Sequence, residues 1–240
     1  MVSYRIIDLT HRLMPGEEQY QLEVRERLAD RGGGRKGPTG DIQSEVFFWS
    51  HVGTHAEASL HFYAGGKDTS DFSLDHFVGP AIRLDFRQKG TSEPITLEDF
   101  QRVGDQAGGI RVGDRVFMWQ GRDQLYRTKA SHDRPYVSED AAAWLIQDRK
   151  IKVLGTDSSG FEVRGERATA HPNHHLFFKA GTDVPVIECM RNLGEIPSDR
   201  FFFVGMPLPV KGLDASPIRA VAIVPEGPDQ QGTLAELLGL

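Results

Sequence analysis

The sequence predicts an α/β domain built on a mixed sheet, and three observations carry that expectation. Seven short runs rich in β-branched and aromatic residues recur along 240 residues, few of them alternate cleanly between apolar and polar, and two segments between them carry helix-start signals. Strands covered on both faces lose the polar half of the alternation, so the second observation favours a sheet with packing on each side.

Taken in chain order, the first strand is Glu45–Trp49 and the second Ala81–Phe86. Thr96, with Asp99 three residues on, makes a capping-box variant that starts a helix over Leu97–Val103. Arg115–Trp119 is the third strand. Ser138 then caps a helix over Glu139–Arg149, whose first-turn acids suit the positive end of the helix dipole and whose Ala141, Trp144 and Leu145 form an apolar stripe for the core. Ile151–Leu154, Val184–Glu188, Phe201–Val204 and Ile218–Val224 complete the strands. No internal repeat, low-complexity tract or linker divides the chain, so residues 1–240 are expected to form one domain with a large core.

Charge and composition exclude several classes of function. A net charge of −6 and a pI near 5.8 provide no basic stripe, so nucleic acid is not an expected partner. No run of eighteen apolar residues and no charged-then-apolar leader is present, which argues against a membrane span or signal peptide and makes the cytoplasm the expected location. The single cysteine, Cys189, rules out an intrachain disulfide and fits a reducing compartment; at the end of an apolar run it reads as a small buried hydrophobe. No Gly-x-Ser-x-Gly elbow of a serine hydrolase occurs.

Chemistry concentrates in Ser50-His51-Val52-Gly53-Thr54-His55-Ala56-Glu57-Ala58-Ser59-Leu60-His61-Phe62, where three histidines and a carboxylate surround a Gly-Thr. Imidazole nitrogens and carboxylate oxygens about 2.0–2.2 Å from an ion are what zinc and similar borderline metals require. In a flat strand His51 and His55 would lie ~13 Å apart, too far for one ion. A regular helix is disfavoured by Gly53, Thr54 and the aromatic run before them. The expected form is therefore a strand ending in a turn at Gly53, whose backbone freedom folds the donors around a metal. A second set of potential donors lies downstream in His171-Pro172-Asn173-His174-His175 and in Glu188, and catalytic metal sites commonly gather ligands from distant segments.

Other features read as structural. The glycine-rich Arg31–Pro38 lacks the ending of a phosphate loop and is expected to be a solvated loop, with Arg35 and Lys36 available to cover a polar substrate. Asp157 follows a strand and fits an Asx-turn. His11, His76 and His132 show no ligand spacing.

The H-x-G-T-H-x-[DE]-x-x-x-H-F pattern resembles the metal-dependent cyclase family of hydrolases, which includes bacterial kynurenine formamidase and isatin hydrolase. Weaker resemblances keep the family's order: Ile6–His11, Val78–Ala81, Val112–Val116, Val153–Ser158 and Asp214–Ala220. The resemblance implies a swivelling β/β/α single domain with a barrel-like sheet, and a homo-oligomer. It implies that His51, His55 and Glu57 bind a first divalent ion, zinc or manganese, that His174 and Glu188 complete a second, and that His61 is the acid/base. An unligated imidazole beside a metal can in any case exchange protons near neutral pH. The chain departs from the family in carrying Glu57 where aspartate is usual, Ser59 where proline is usual, two extra residues near Thr182-Asp183, and no tryptophan between Met14 and Arg25. The longer carboxylate leads to the expectation of a weaker or absent second ion.

The expected reaction is hydrolysis of an amide, lactam or ester of a small molecule, with the metal lowering the pKa of water from about 15.7 toward 7 and polarising the carbonyl. A metal-dependent lyase or dehydratase using the same residues is the alternative.

Overall fold

The computed structural model describes residues 3–28, 42–163, 170–179 and 181–226. The glycine-rich stretch Arg31–Pro38, with Arg35 and Lys36, lies outside the described residues.

Nine strands form one strongly curled, half-barrel sheet. Its centre is parallel: β5 (Val78–Asp85), β7 (Arg115–Trp119), β9 (Val153–Thr156) and β10 (Val186–Glu188) lie side by side. Parallel neighbours need long crossovers, and these hold α1 (Leu97–Gln106), α2 (Glu139–Gln147) and α3 (Pro172–Phe177). Antiparallel strands flank the centre. Beyond β5 come β11 (Arg200–Val204), β13 (Val221–Pro225) and β1 (Tyr4–Asp8); beyond β10 come β4 (His55–Glu57) and β12 (Ala215–Pro217). The mixed α/β class expected from the sequence is therefore the observed one. Two small pairs stand apart: β2 (Leu22–Leu28) with β3 (Ile42–Phe48), and β6 (Pro94–Ile95) with β8 (Tyr136–Val137).

Each central strand feeds two cores, which explains the weak alternation in its sequence. Ile82, Leu84, Val116, Met118, Leu154 and Val186 pack with Phe100, Leu145 and Phe177 from the helices. Their neighbours Ala81, Phe117, Val153 and Ile187 point to the opposite face and join Leu9, Phe201 and Phe203. Residues of opposite parity leave opposite sides of the pleat, and here both sides are dry.

The helix signals fare differently. Thr96 and Asp99 form the reciprocal capping box, and α1 runs on to Gln106. Ser138 adopts the extended backbone of a cap but its hydroxyl makes no capping bond; its N–H is tied to the Ile95 carbonyl at 3.0 Å, and the Oγ is buried without a partner. α2 starts at Glu139, as expected, with Glu139 and Asp140 in its first turn, and ends at Gln147 rather than Arg149. The strand expected at Glu45–Trp49 covers Ile42–Phe48, and that expected at Ile218–Val224 begins at Val221, because Ile218 instead bridges to Pro207. No helix among the described residues is long and apolar enough to cross a membrane.

Candidate metal centre

The three-residue strand β4 positions the centre. It is inserted between β10 and β12, with His55 opposite Glu188 and Pro217, and Glu57 opposite Val186 and Ala215. His55 and Glu57 share parity, so both project to one face. His51 reaches them through the turn expected at Gly53, whose φ of +69° lies in the left-handed region. A Cβ there would also come within 2.3 Å of Leu13 Cδ2, so the turn admits only glycine without strain.

Three donor atoms converge. His51 Nδ1 lies 2.9 Å from Glu57 Oε1 and 3.3 Å from His55 Nε2, and His55 Nε2 lies 3.3 Å from Glu57 Oε1. Tetrahedral donors about 2.0–2.2 Å from an ion stand about 3.3–3.6 Å apart, so this triangle is near the size one ion needs. The other ring nitrogens settle the orientation. His55 Nδ1 sits 2.8 Å from the Gly53 carbonyl and His51 Nε2 sits 2.9 Å from Asp214 Oδ2. Carbonyl and carboxylate oxygens only accept, so those nitrogens carry the hydrogens, and the lone pairs of His51 Nδ1 and His55 Nε2 face the carboxylate. Three lone pairs pointing at one another need a positive charge between them.

Glu57 faces a second set of donors with its other oxygen. Oε2 lies 3.4 Å from His174 Nε2, which is 3.8 Å from Glu188 Oε1, and this Oε2 is buried without a hydrogen-bond partner. His174 Nδ1 donates to Glu162 at 2.9 Å, and its backbone N–H donates to the same oxygen at 2.7 Å, leaving Nε2 bare toward Glu57. His175, one residue on, is exposed and meets the Tyr63 hydroxyl at 2.9 Å. His171, at the cap of α3, forms a looser group with Glu162 and His174 whose donor atoms lie within 4.8 Å of one another. Of the three downstream histidines, then, His174 is the one turned to Glu57.

The same carboxylates favour a positive charge on the facing imidazoles. Burial works against a charged His51, yet its hydrogen bonds to the Asp214 and Glu57 carboxylates outweigh it and push the imidazole up to about 10. Burial likewise opposes protonation of His174, and the carboxylates of Glu162, Glu188 and Glu57 raise it well above the usual range. Burial alone would raise Glu57; the facing imidazoles of His174, His51 and His55 hold it well below the usual range. Orphaned oxygen, convergent lone pairs and an excess of carboxylates together fit a divalent ion.

His61, on the short 3₁₀ turn Ser59–His61, stands beside this set with its ring 4.3 Å from that of His51. Its Nδ1 lies 3.0 Å from Asp214 Oδ2, and its side chain is 34% exposed toward a cleft of about 730 Å³. Tyr20, Trp49, Phe62 and Tyr126 line the cleft's apolar parts. Tyr20 stacks on Trp49 at 5.9 Å, and Trp49 brings an indole to the cleft wall. Ser59, in place of proline, accepts the Lys67 N–H at 2.8 Å and closes the loop behind His61.

In the sequence Asp214 stands out only as the head of the Asp214–Ala220 resemblance, with no site role, and Glu162 does not stand out. Their roles depend on strand pairing and on a bond spanning twelve residues, for which no sequence spacing gives a signal. His132, which shows no ligand spacing, lines the cleft with Nδ1 2.8 Å from Ser159 Oγ. Asp157 is buried under three backbone donors, Gln120, Gly121 and Arg122, and ties their loop to β9; burial pushes it up to about 7. Cys189 is half-buried beside Glu188 and, chiefly through burial, its thiol is raised well above the ordinary value.

The Cyclase family model matches residues 7–163, which include the whole histidine motif. The chain belongs to the cyclase family. This cyclase-family chain is 28% identical over 186 residues to Cyclase-like protein 1 of Oryza sativa subsp. japonica, a match covering 75% of this chain and 64% of the rice protein. It is 27% identical over 171 residues to kynurenine formamidase of Sphingopyxis alaskensis, covering 71% of this chain and 75% of that enzyme. A solved structure described as a potential metal-dependent hydrolase with cyclase activity superposes with a TM-score of 0.73 at 28% identity, over 94% of this chain and 100% of that one. The family match ends before His174 and Glu188, so their placement beside Glu57 rests on the geometry.

Proposed function

We propose that this chain, as one domain, is a metal-dependent hydrolase of a small molecule, cleaving an amide, lactam or ester bond. The observation that carries the reading is the convergence of His51 Nδ1, His55 Nε2 and Glu57 Oε1 at 2.9–3.3 Å, their opposite nitrogens held by hydrogen-bond acceptors. These three residues would hold the first ion, and His174 and Glu188, with Glu57 Oε2, a second. Imidazole and carboxylate donors suit zinc or manganese. When bound, such an ion supplies Lewis acidity, making water a nucleophile near neutral pH and polarising a carbonyl oxygen. Its similarity to a kynurenine formamidase, and to a structure described as a metal-dependent hydrolase, supports an amide carbonyl as the group attacked.

The chain's own residues supply the rest. Tyr20, Trp49 and Phe62 offer apolar surface to the substrate's body and exclude water around the reacting bond. His61, with Nδ1–H committed to Asp214, keeps Nε2 free to take a proton from the attacking water and return it to the leaving nitrogen or oxygen.

Elemental analysis of purified protein, coupled to turnover of formamides, cyclic amides and lactones, tests this function. Zinc or manganese should be present at one equivalent or more, and a chelator should abolish turnover. Metal-free protein whose activity ignores the chelator would defeat the reading. Solvent labelled with ¹⁸O should enter the product; an unlabelled product would make the enzyme a lyase or dehydratase.

Separate alanine variants discriminate among the downstream histidines. His174→Ala is expected to lower metal content while His175→Ala and His171→Ala retain it, because only His174 Nε2 faces Glu57 and Glu188. Equal metal content in all three would remove His174 from the site.

The same reading includes a homo-oligomer acting in the cytoplasm. Supporting the first are exposed apolar side chains on β1 (Tyr4, Ile6) and on the β2–β3 pair (Val24, Val46, Phe47); the free Cys189 suits a reducing compartment. Light scattering at micromolar concentration should give a multiple of 26.7 kDa, and a monomer mass would count against association.

A further inference from the structure

We propose that Asp214 is a positioning residue for this site, one carboxylate that aims both a metal donor and the acid/base. The inference rests on the proposed hydrolase reading and adds to it a residue outside the histidine motif.

Backbone pairing fixes Asp214 against that motif. It immediately precedes β12, whose Ala215 pairs with Glu57, and its carbonyl accepts the Ala58 N–H at 2.8 Å. The side chain then turns back to three residues of the motif. Oδ2 accepts from His51 Nε2 at 2.9 Å and from His61 Nδ1 at 3.0 Å, while Oδ1 accepts the Ser50 hydroxyl at 2.8 Å. The rings of His51 and His61 are 4.3 Å apart and tilted by 47°, so the shared oxygen, rather than a bond between them, sets their relative orientation.

Each bond fixes a tautomer. With the hydrogen on Nε2, His51 presents Nδ1 to Glu57; with the hydrogen on Nδ1, His61 presents Nε2 to the cleft. An imidazole without such an acceptor rotates and changes tautomer, and losing an outer partner of this kind typically costs about 10–100-fold in metal affinity or activity. Because one oxygen serves both rings, Asp214 links the orientation of the metal donor to that of the group that moves the proton. Asparagine can offer an oxygen in the same place, with its NH₂ toward Ser50, so it should preserve the positioning in part.

The test is a double-mutant cycle with a separate binding measurement. In a His61→Ala background, Asp214→Ala should weaken Mn²⁺ or Zn²⁺ binding, titrated by calorimetry, about 10–100-fold, with Asp214→Asn recovering part of it. At saturating metal, Asp214→Ala in the otherwise native chain should lower kcat with little change in KM, and in the His61→Ala background it should lower kcat much less. Unchanged metal affinity, or a full kcat loss persisting without His61, would overturn the proposal. Zinc-loaded protein labelled with ¹⁵N gives a readout that needs no variant: imidazole shifts should place hydrogens on His51 Nε2 and His61 Nδ1, and the opposite tautomer at either residue would refute the assignment. Failure of the hydrolase reading looks different, since the native chain would then bind no metal or turn over none of the carbonyl substrates.

Discussion

Replacing His61 with alanine is expected to leave metal content unchanged and to lower turnover about 10²–10⁴-fold, the usual contribution of a positioned acid/base. The donor triangle of His51, His55 and Glu57 closes without His61, and the bond from His61 Nδ1 to Asp214 commits that nitrogen away from any ion. Its Nε2 is left for a proton on the substrate or on water. The rival role is a ligand's, because His61, His51 and Glu57 can bring donor atoms within 4.8 Å of one another. Elemental analysis and kinetics on the same preparation separate the two. Full metal with little activity makes His61 the acid/base; loss of metal with loss of activity makes it a ligand.

Much of this centre was legible in the sequence, and what was not has a physical cause. The Gly53 turn followed from a reach argument, since His51 and His55 cannot share an ion in a flat strand, and the positive φ at Gly53 is what that argument required. The central strands stood out as apolar runs because each feeds two cores. β4 escaped notice: three residues long and rich in ligand types, it has no strand signature, and it is a strand only because β10 and β12 bracket it. Asp214 escaped for the same reason, and Glu162 because its bond to His174 spans twelve residues. Asp214 lies 157 positions after Glu57 in the chain and meets the site through strand register, which a sequence does not display. Ser138 shows the reverse: it stands at the cap position expected of it, with extended backbone, but its hydroxyl makes no capping bond.

Converting Glu57 to glutamine should reduce metal content and activity together, the second large effect expected. This side chain is 4% exposed, and its two oxygens divide the site, Oε1 facing His51 and His55 and Oε2 facing His174. Glutamine keeps the shape but removes the negative charge, and it must turn an NH₂ group toward one set of imidazole lone pairs. Those lone pairs are fixed by acceptors behind them: Asp214 for His51, the Gly53 carbonyl for His55, Glu162 for His174. The rings therefore have no ready means of turning to suit the amide, and the attraction for a divalent cation falls with the lost charge. Glu57→Asp keeps the charge but shortens the reach, so it should retain the first ion in part. Bridging two ions about 3.5–4 Å apart demands a closer fit than binding one, and the native Glu57 is expected to hold the second ion more weakly than the first. Metal titration of the native chain should then show a tight equivalent and a weak one, Glu57→Gln should lose both, and thermal melts in chelator should show that the variant is folded. Full metal content and normal turnover in Glu57→Gln would place this carboxylate outside the coordination sphere.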